Sequence, residues 1–278
     1  MTLPPPALEF CARHPDVPTG RHCTRCDRAA CNNCLVQADV GSHCVDCVKR
    51  ARPSRQERAR YWNAAQPILA TKVLIAINVV VYLWVVAGRD VVTGAGIINS
   101  REFDLGISKI FIDNGEWYRV ITSGFLHFSI FHIAMNMLLL WQLGQMLEPM
   151  LDRTRFLLLY FSAMCGGAAG ALLLQPDGLT GGASGAVFGL MAAVAVAYQR
   201  RGVNPMDTGI GALLFINLII TFVIPGISVG GHLGGALTGA AVGYVMLAPR
   251  HSQTSPVMQY VAPLGAMVLS VMLILALP

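Results

Sequence analysis

"VGGHLGGALTGAAVG", residues 229–243, decides how this chain is read. Apart from His232 and Thr238 the stretch is apolar or glycine. Gly231, Gly235, Gly239 and Gly243 recur every four residues, so they share one face of a helix. A face without side chains lets a second membrane helix approach closely. An ionisable group inside such a helix is costly, so His232 defaults to a functional reading. The stretch predicts a membrane helix pressed against a neighbour, with an imidazole near its start.

A second stretch offers the matching face. "TGGASGAVFGL", residues 180–190, carries Gly181, Gly185 and Gly189 beside one hydroxyl, Ser184. Taken alone, a serine in a glycine-rich helix is packing. If the two glycine faces meet, Ser184 and His232 come within reach. A serine hydroxyl is a weak nucleophile until an adjacent imidazole takes its proton.

The rest of the chain supplies the setting. Its 278 residues are 54% hydrophobic and 13% charged, against about 25% charged in ordinary soluble domains. The mean hydropathy is +0.56. The expected fold class is an all-α polytopic membrane protein with a small polar appendage. The net charge of +5 does not imply nucleic acid. Most of the basic charge lies before residue 73, beside the first apolar run, where the positive-inside rule accounts for it. The opening "MTLPPPALEF" has no basic n-region and no apolar h-region, so no secretory signal is expected.

Seven apolar runs approach the roughly 20 residues that cross a bilayer: 72–88, 124–147, 155–174, 184–199, 208–224, 229–248 and 257–277. Arg153 and Arg155, Arg200 and Arg201, and Arg250 follow the second, fourth and sixth runs. The turns after the third and fifth runs hold no Lys or Arg. The expected topology therefore has the N-terminus in the cytoplasm and the C-terminus outside. The first external loop, near 89–120, is too long to be structureless. Short helices lying partly in the membrane surface are expected there.

Polar groups inside the runs are few. The second holds His127, His132 and Asn136, the fourth opens with Ser184, and the sixth opens with His232. With this topology all five lie toward the outer face. His132 and Asn136 are i,i+4 and share a helix face. They are placed to donate hydrogen bonds to a developing oxyanion.

These residues carry a resemblance. "GEWYRVITSGFLHFSIFHIAMNM", "GGASGAVFGL" and "GGHLGGALTGAAVG" look like the three signature blocks of the rhomboid intramembrane serine proteases. The match covers about residues 65–248. It implies a six-helix rhomboid core, taken as 72–248, followed by an additional transmembrane helix in 249–278. By it Ser184 is the nucleophile and His232 the general base, with no carboxylate. His132, Asn136 and the Ser184 N–H would form the oxyanion hole, and His127 would be auxiliary. Trp117 and Arg119 match a motif that stabilises the first external loop. Phe188 stands where some bacterial members stack a tyrosine on the catalytic histidine. Substrates would be transmembrane segments of other proteins, cut near the outer face of the cell membrane without a cofactor. The lack of a transit peptide favours a bacterial plasma membrane.

The first 48 residues are a different matter. Cys11-x2-His14, Cys23-x2-Cys26, Cys31-x2-Cys34 and Cys44-x2-Cys47 make four ligand pairs. Eight sulfur and nitrogen donors fill two closed tetrahedral zinc sites. The short spacers favour an interleaved pairing: Cys11, His14, Cys31 and Cys34 at one site, and Cys23, Cys26, Cys44 and Cys47 at the other. His22 and His43 sit beside ligands and are the alternative donors. The pattern resembles B-box-type cross-brace zinc fingers. A disulfide framework is the rival, and a cytoplasmic location argues against it. Such a module would bind a partner or position substrate. Residues 49–71 are expected to be a basic cytoplasmic linker, flexible or lying on the anionic leaflet.

The rival class for the whole chain is a non-enzymatic membrane protein, a transporter or a scaffold. There His127, His132 and His232 would relay protons or bind a metal.

Overall fold

The computed structural model describes residues 9–88, 100–249 and 255–277. The chain divides into two units, one ending at Gln66 and the other starting at Pro67.

The first unit holds two antiparallel hairpins. β1 (Phe10–Cys11) pairs with β2 (His14–Pro18), and β3 (Leu35–Gln37) pairs with β4 (Ser42–Cys44). α1 (Val45–Ala51) follows directly. The buried core is Ala30 and six cysteines, with Leu35 packed against it. So little hydrocarbon cannot by itself order a chain of this length.

Two features of this unit differ from the expectation. The hairpins were not anticipated, because cysteine spacing hides their alternation. The linker is largely helical: α1 runs on to Ala51, and α2 spans Arg55–Ala64. Ser54 explains the second helix. Its Oγ accepts from Glu57 N at 3.1 Å, and its own N–H donates to the Glu57 carboxylate at 2.6 Å. This is a capping box, and "SRQE" displays it in the sequence.

The second unit is helical. Its long elements are α3 (Leu69–Ala87), and, after three short helices, α7 (Ile130–Leu151), α8 (Arg153–Leu174), α9 (Ser184–Gln199), α10 (Gly209–Val223), α11 (Val229–Met246) and α12 (Met258–Ala276). By length and composition α3, α7, α8 and α12 can cross a membrane, and α9 and α10 are shorter apolar helices. The short ones are α4 (Ser100–Leu105), α5 (Lys109–Asp113) and α6 (Arg119–Thr122). They occupy the stretch where short helices were expected. Residues 89–99 of that loop lie outside the described residues, as does Arg250.

Two helix starts differ from the expected runs by three residues or more. α3 begins three residues early because Glu148, 1% exposed, reaches across from α7. Its carboxylate accepts from Ala70 N at 2.9 Å, Thr71 N at 2.8 Å and Thr71 Oγ1 at 2.7 Å, satisfying the open N–H groups of the first turn. α7 begins at Ile130 instead of 124. Ser129 caps it, accepting from His132 N at 3.2 Å. Residues 119–125 instead form α6 and a 3-10 turn. His127 therefore lies before the helix, which corrects its placement inside the second span.

α11 is wedged between two partners through two glycine faces. A Cβ at Gly235 would fall on the carbonyl oxygen of Gly185, and one at Gly239 on that of Gly189, both on α9. Gly230 and Gly234 meet the carbonyls of Gly170 and Gly166 on α8 in the same way. The α9 contact matches the glycine faces read from the sequence. The α8 contact is additional, because Gly166 and Gly170 gain meaning only once α8 lies against Gly230 and Gly234.

Candidate active site and metal centres

Ser184 opens α9, with Ala183 as the cap residue. At that position its backbone N–H has no partner within the helix and faces outward with the positive end of the helix dipole. The segment before it is clamped. Ile107 and Thr180 exchange two backbone hydrogen bonds of 2.9 Å, and Gly182 N donates to Ser123 O at 2.8 Å. Gly182 has φ +141°, and a Cβ there would stand 2.7 Å from His132 Nε2 and 3.5 Å from Ser184 Oγ. Glycine leaves open the space between those two groups.

Ser184, His232, His132 and Asn136 all line one cavity of about 920 Å³. His132 and Asn136 come from α7, Ser184 from α9 and His232 from α11. Phe188, one turn after Ser184, also lines it and stacks on His232 with ring centroids 4.0 Å apart and planes 19° from parallel. Among the described contacts no hydrogen bond joins Ser184 Oγ to the His232 ring. The ring instead meets Thr221 Oγ1 of α10 through Nδ1, at 2.6 Å.

The expected oxyanion donors are on hand. Asn136 lies seven residues into α7, about 9 Å along its axis, shallower than the three turns inferred from the sequence. One Nδ2 proton goes to His132 O at 2.9 Å, which leaves the second for the cavity. His127, fully buried, sets its ring edge-on to His132 at 4.8 Å. Its Nδ1 meets Phe125 O at 3.3 Å, and its Nε2 has no partner among the described residues. It does not line the cavity.

Arg119, 4% exposed, ties the short helices of residues 100–122 together. It donates to the Glu116 carboxylate through Nε at 2.8 Å and Nη2 at 2.6 Å. Its Nη1 donates to the carbonyls of Phe103 and, at 2.8 Å, Gly106. The Arg119 guanidinium, with help from the Tyr118 hydroxyl, holds the Glu116 carboxyl below its usual range. Trp117 contributes its carbonyl, which accepts from Val120 N at 3.2 Å. It is 68% exposed, as suits an aromatic ring at a membrane–water interface.

Sequence reasoning missed Asn217 and Thr221. Thr221 contacts His232, and Asn217 lines the cavity. They are i,i+4 in an otherwise apolar run, the same pattern that singled out His132 and Asn136.

In the first unit the donor atoms fall into two sets of four. Those of Cys11, His14, Cys31 and Cys34 lie within 4.8 Å of one another, as do those of Cys23, Cys26, Cys44 and Cys47. A tetrahedral zinc with Zn–S near 2.3 Å and Zn–N near 2.0 Å separates its ligand atoms by roughly 3.5–3.8 Å. His14 Nδ1 lies 3.8, 3.4 and 3.4 Å from the sulfurs of Cys11, Cys31 and Cys34, and Cys26 Sγ lies 3.8 Å from Cys44 Sγ. Both sets therefore fit a zinc ion by donor type and spacing. Their thiols act on one another. Backbone hydrogen bonding at Cys31 helps draw Cys11 down to about 6, while burial and neighbouring thiols push Cys34 up to about 11. Contact with Cys26, together with burial, pushes Cys47 up to about 12. A cation held between the sulfurs would relieve that opposition. His22 is engaged elsewhere, with the Glu9 carboxylate.

Residues 114–249 match the model of the Rhomboid domain. The chain is 36% identical over 120 residues to "Rhomboid protease GluP" of Bacillus subtilis, covering 42% of this chain and 24% of that protein. It is 35% identical over 125 residues to "Putative rhomboid protease YdcA" of the same organism, covering 42% and 56%. Over 138 residues it is 28% identical to "Rhomboid protease GlpG" of Photorhabdus laumondii, covering 48% and 45%. The alignments thus span from a quarter to just over half of these relatives.

Proposed function

The chain carries a rhomboid domain, and on that premise we propose that it is an intramembrane serine endopeptidase cutting transmembrane segments of other proteins. The observation that carries this is the gathering of Ser184, His232, His132 and Asn136 from three helices around one cavity. In this reading His232 takes the Ser184 proton as Ser184 Oγ attacks a backbone carbonyl. The Ser184 N–H, His132 and Asn136 hold the oxyanion, and each such donor commonly contributes about 10²–10³ in rate. His232 protonates the leaving amine, and water hydrolyses the acyl-enzyme. Without a carboxylate, the imidazole must be placed by its surroundings, and the Phe188 stack supplies one restraint. Helix-breaking residues in a substrate favour cleavage, because a helical backbone hides its carbonyls.

The N-terminus is placed in the cytoplasm and the C-terminus outside, from the arginine distribution. The first unit binds two zinc ions and serves partner or substrate recruitment. The test is labelling with a fluorophosphonate probe. It is expected to mark the protein and to vanish in Ser184→Ala and in His232→Ala. Unchanged labelling in Ser184→Ala overturns the assignment, and metal-dependent transport surviving that substitution supports the transporter reading.

A further inference from the structure

Thr221 is 2% exposed, meets the Nδ1 edge of the His232 ring and does not line the cavity. Its Oγ1 makes two contacts of hydrogen-bond length. One is to the carbonyl oxygen of Asn217, one turn earlier on α10, at 2.7 Å. The other is to His232 Nδ1 at 2.6 Å. A hydroxyl has one proton to give, and a carbonyl has none. Both contacts are hydrogen bonds only when the Thr221 proton goes to the Asn217 carbonyl and His232 Nδ1 carries its own.

We propose that Thr221 is a positioning residue that holds His232 as the Nδ1–H tautomer, so that the Nε2 lone pair faces the cavity as the base for Ser184. The inference rests on the Ser184–His232 reading above. As the Ser184 Oγ–carbon bond forms, the Ser184 proton moves to Nε2 and the carbonyl electron pair moves to oxygen. His232 is then a cation whose Nδ1–H still donates to Thr221 Oγ1, a contact strengthened by the charge. When the carbon–nitrogen bond breaks, the Nε2 proton passes to the leaving amine. Thr221 neither gains nor loses a proton. This is the orienting role that a buried aspartate has in a triad. A neutral hydroxyl fills it without the desolvation cost of burying a carboxylate. Phe188 fixes the plane of the ring, and Thr221 fixes its rotation within that plane and which nitrogen is bare.

The experiment uses the full chain in detergent, with fluorophosphonate labelling as the rate readout and ¹⁵N NMR of the histidines as the tautomer readout. Thr221→Val keeps the shape and removes the acceptor, and Thr221→Ser keeps the acceptor. Thr221→Val is expected to slow labelling about 10- to 100-fold, the value of a hydrogen bond to a charged group. Thr221→Ser is expected to recover most of the rate. The acid limb of the pH–rate profile is expected to move to lower pH in Thr221→Val, because the imidazolium has lost an acceptor. His132, on α7, is the titratable group that faces His232 and is unchanged in both variants. NMR of the unmodified protein is expected to show His232 protonated on Nδ1, a readout needing no variant to fold. An Nε2–H tautomer there overturns the proposal, as does Thr221→Val labelling at the original rate with the original acid limb. If His232→Ala still labels at Ser184, the dyad reading falls and this proposal with it. If His232→Ala is silent while Thr221→Val is unaffected, the dyad stands and the positioning role falls.

Discussion

Phe188 lies flat against His232, centroids 4.0 Å apart, and Phe188 is one helical turn beyond Ser184 on the same helix. The ring stacked on the proposed base and the hydroxyl proposed to react thus belong to one helix. Stacked aromatic pairs contribute about 0.5–1.5 kcal/mol beyond buried area. Phe188→Leu is expected to lower kcat on a membrane substrate by roughly 2- to 10-fold. Phe188→Tyr is expected to stay near the original rate. Phe188→Ala also opens a cavity and should cost about 3–5 kcal/mol of stability. Thermal unfolding in detergent, measured beside the rates, separates the two effects.

Gly235 and Gly185 meet backbone to backbone. A Cβ on Gly235 would fall on a carbonyl oxygen, which cannot turn aside as a side chain can. Overpacking of this kind costs about 1–3 kcal/mol or more, and here it would also part α9 from α11. Gly235→Ala is expected to lower the thermal midpoint and to abolish fluorophosphonate labelling together. Gly265, on α12, has open space about it, and Gly265→Ala is expected to change neither.

The Arg119–Glu116 pair is expected to make the loop of residues 100–122 sensitive to acid. The Glu116 pKa is depressed in the folded protein, first by hydrogen bonds from Arg119 and then by Tyr118. A depressed carboxylate stabilises the fold above its unfolded pKa, and that contribution is lost as pH falls through the folded value. Limited proteolysis of the loop is therefore expected to speed up below about pH 4. Glu116→Gln should start from a looser loop at neutral pH and show a flatter pH response.

The cysteine unit is expected to hold two zinc ions per chain by elemental analysis. Cys34→Ser should lower the count to about one, since the sets share no residue. Chelation is expected to raise hydrogen exchange across residues 10–51 while leaving α7 to α11 protected. The basis is that a core of six cysteines and one alanine has little to hold it without metal.

Some of this was legible in the residues. Apolar run lengths place helices, because a bilayer demands a minimum length and internal backbone pairing. Glycines at four-residue steps identify the α9–α11 contact, since only a bare face allows it. The spacing of the Cys and His pairs indicates the interleaved sets that the structure brings together. Ser54 and Glu57 spell a capped helix within the basic stretch of residues 49–71.

What the linear order could not settle depends on partners distant in the chain. Glu148 starts α3 from 77 residues away, and nothing local marks that helix start. The second glycine face of α11 has meaning only once α8 is known to lie against it. His127 reads as part of a helix until Ser129 caps the chain after it. Above all, the sequence identifies His232 as an ionisable group in an apolar helix, yet it is silent on which ring nitrogen is bare. That choice belongs to Thr221 on a different helix, because a proton's position is set by the atoms around it.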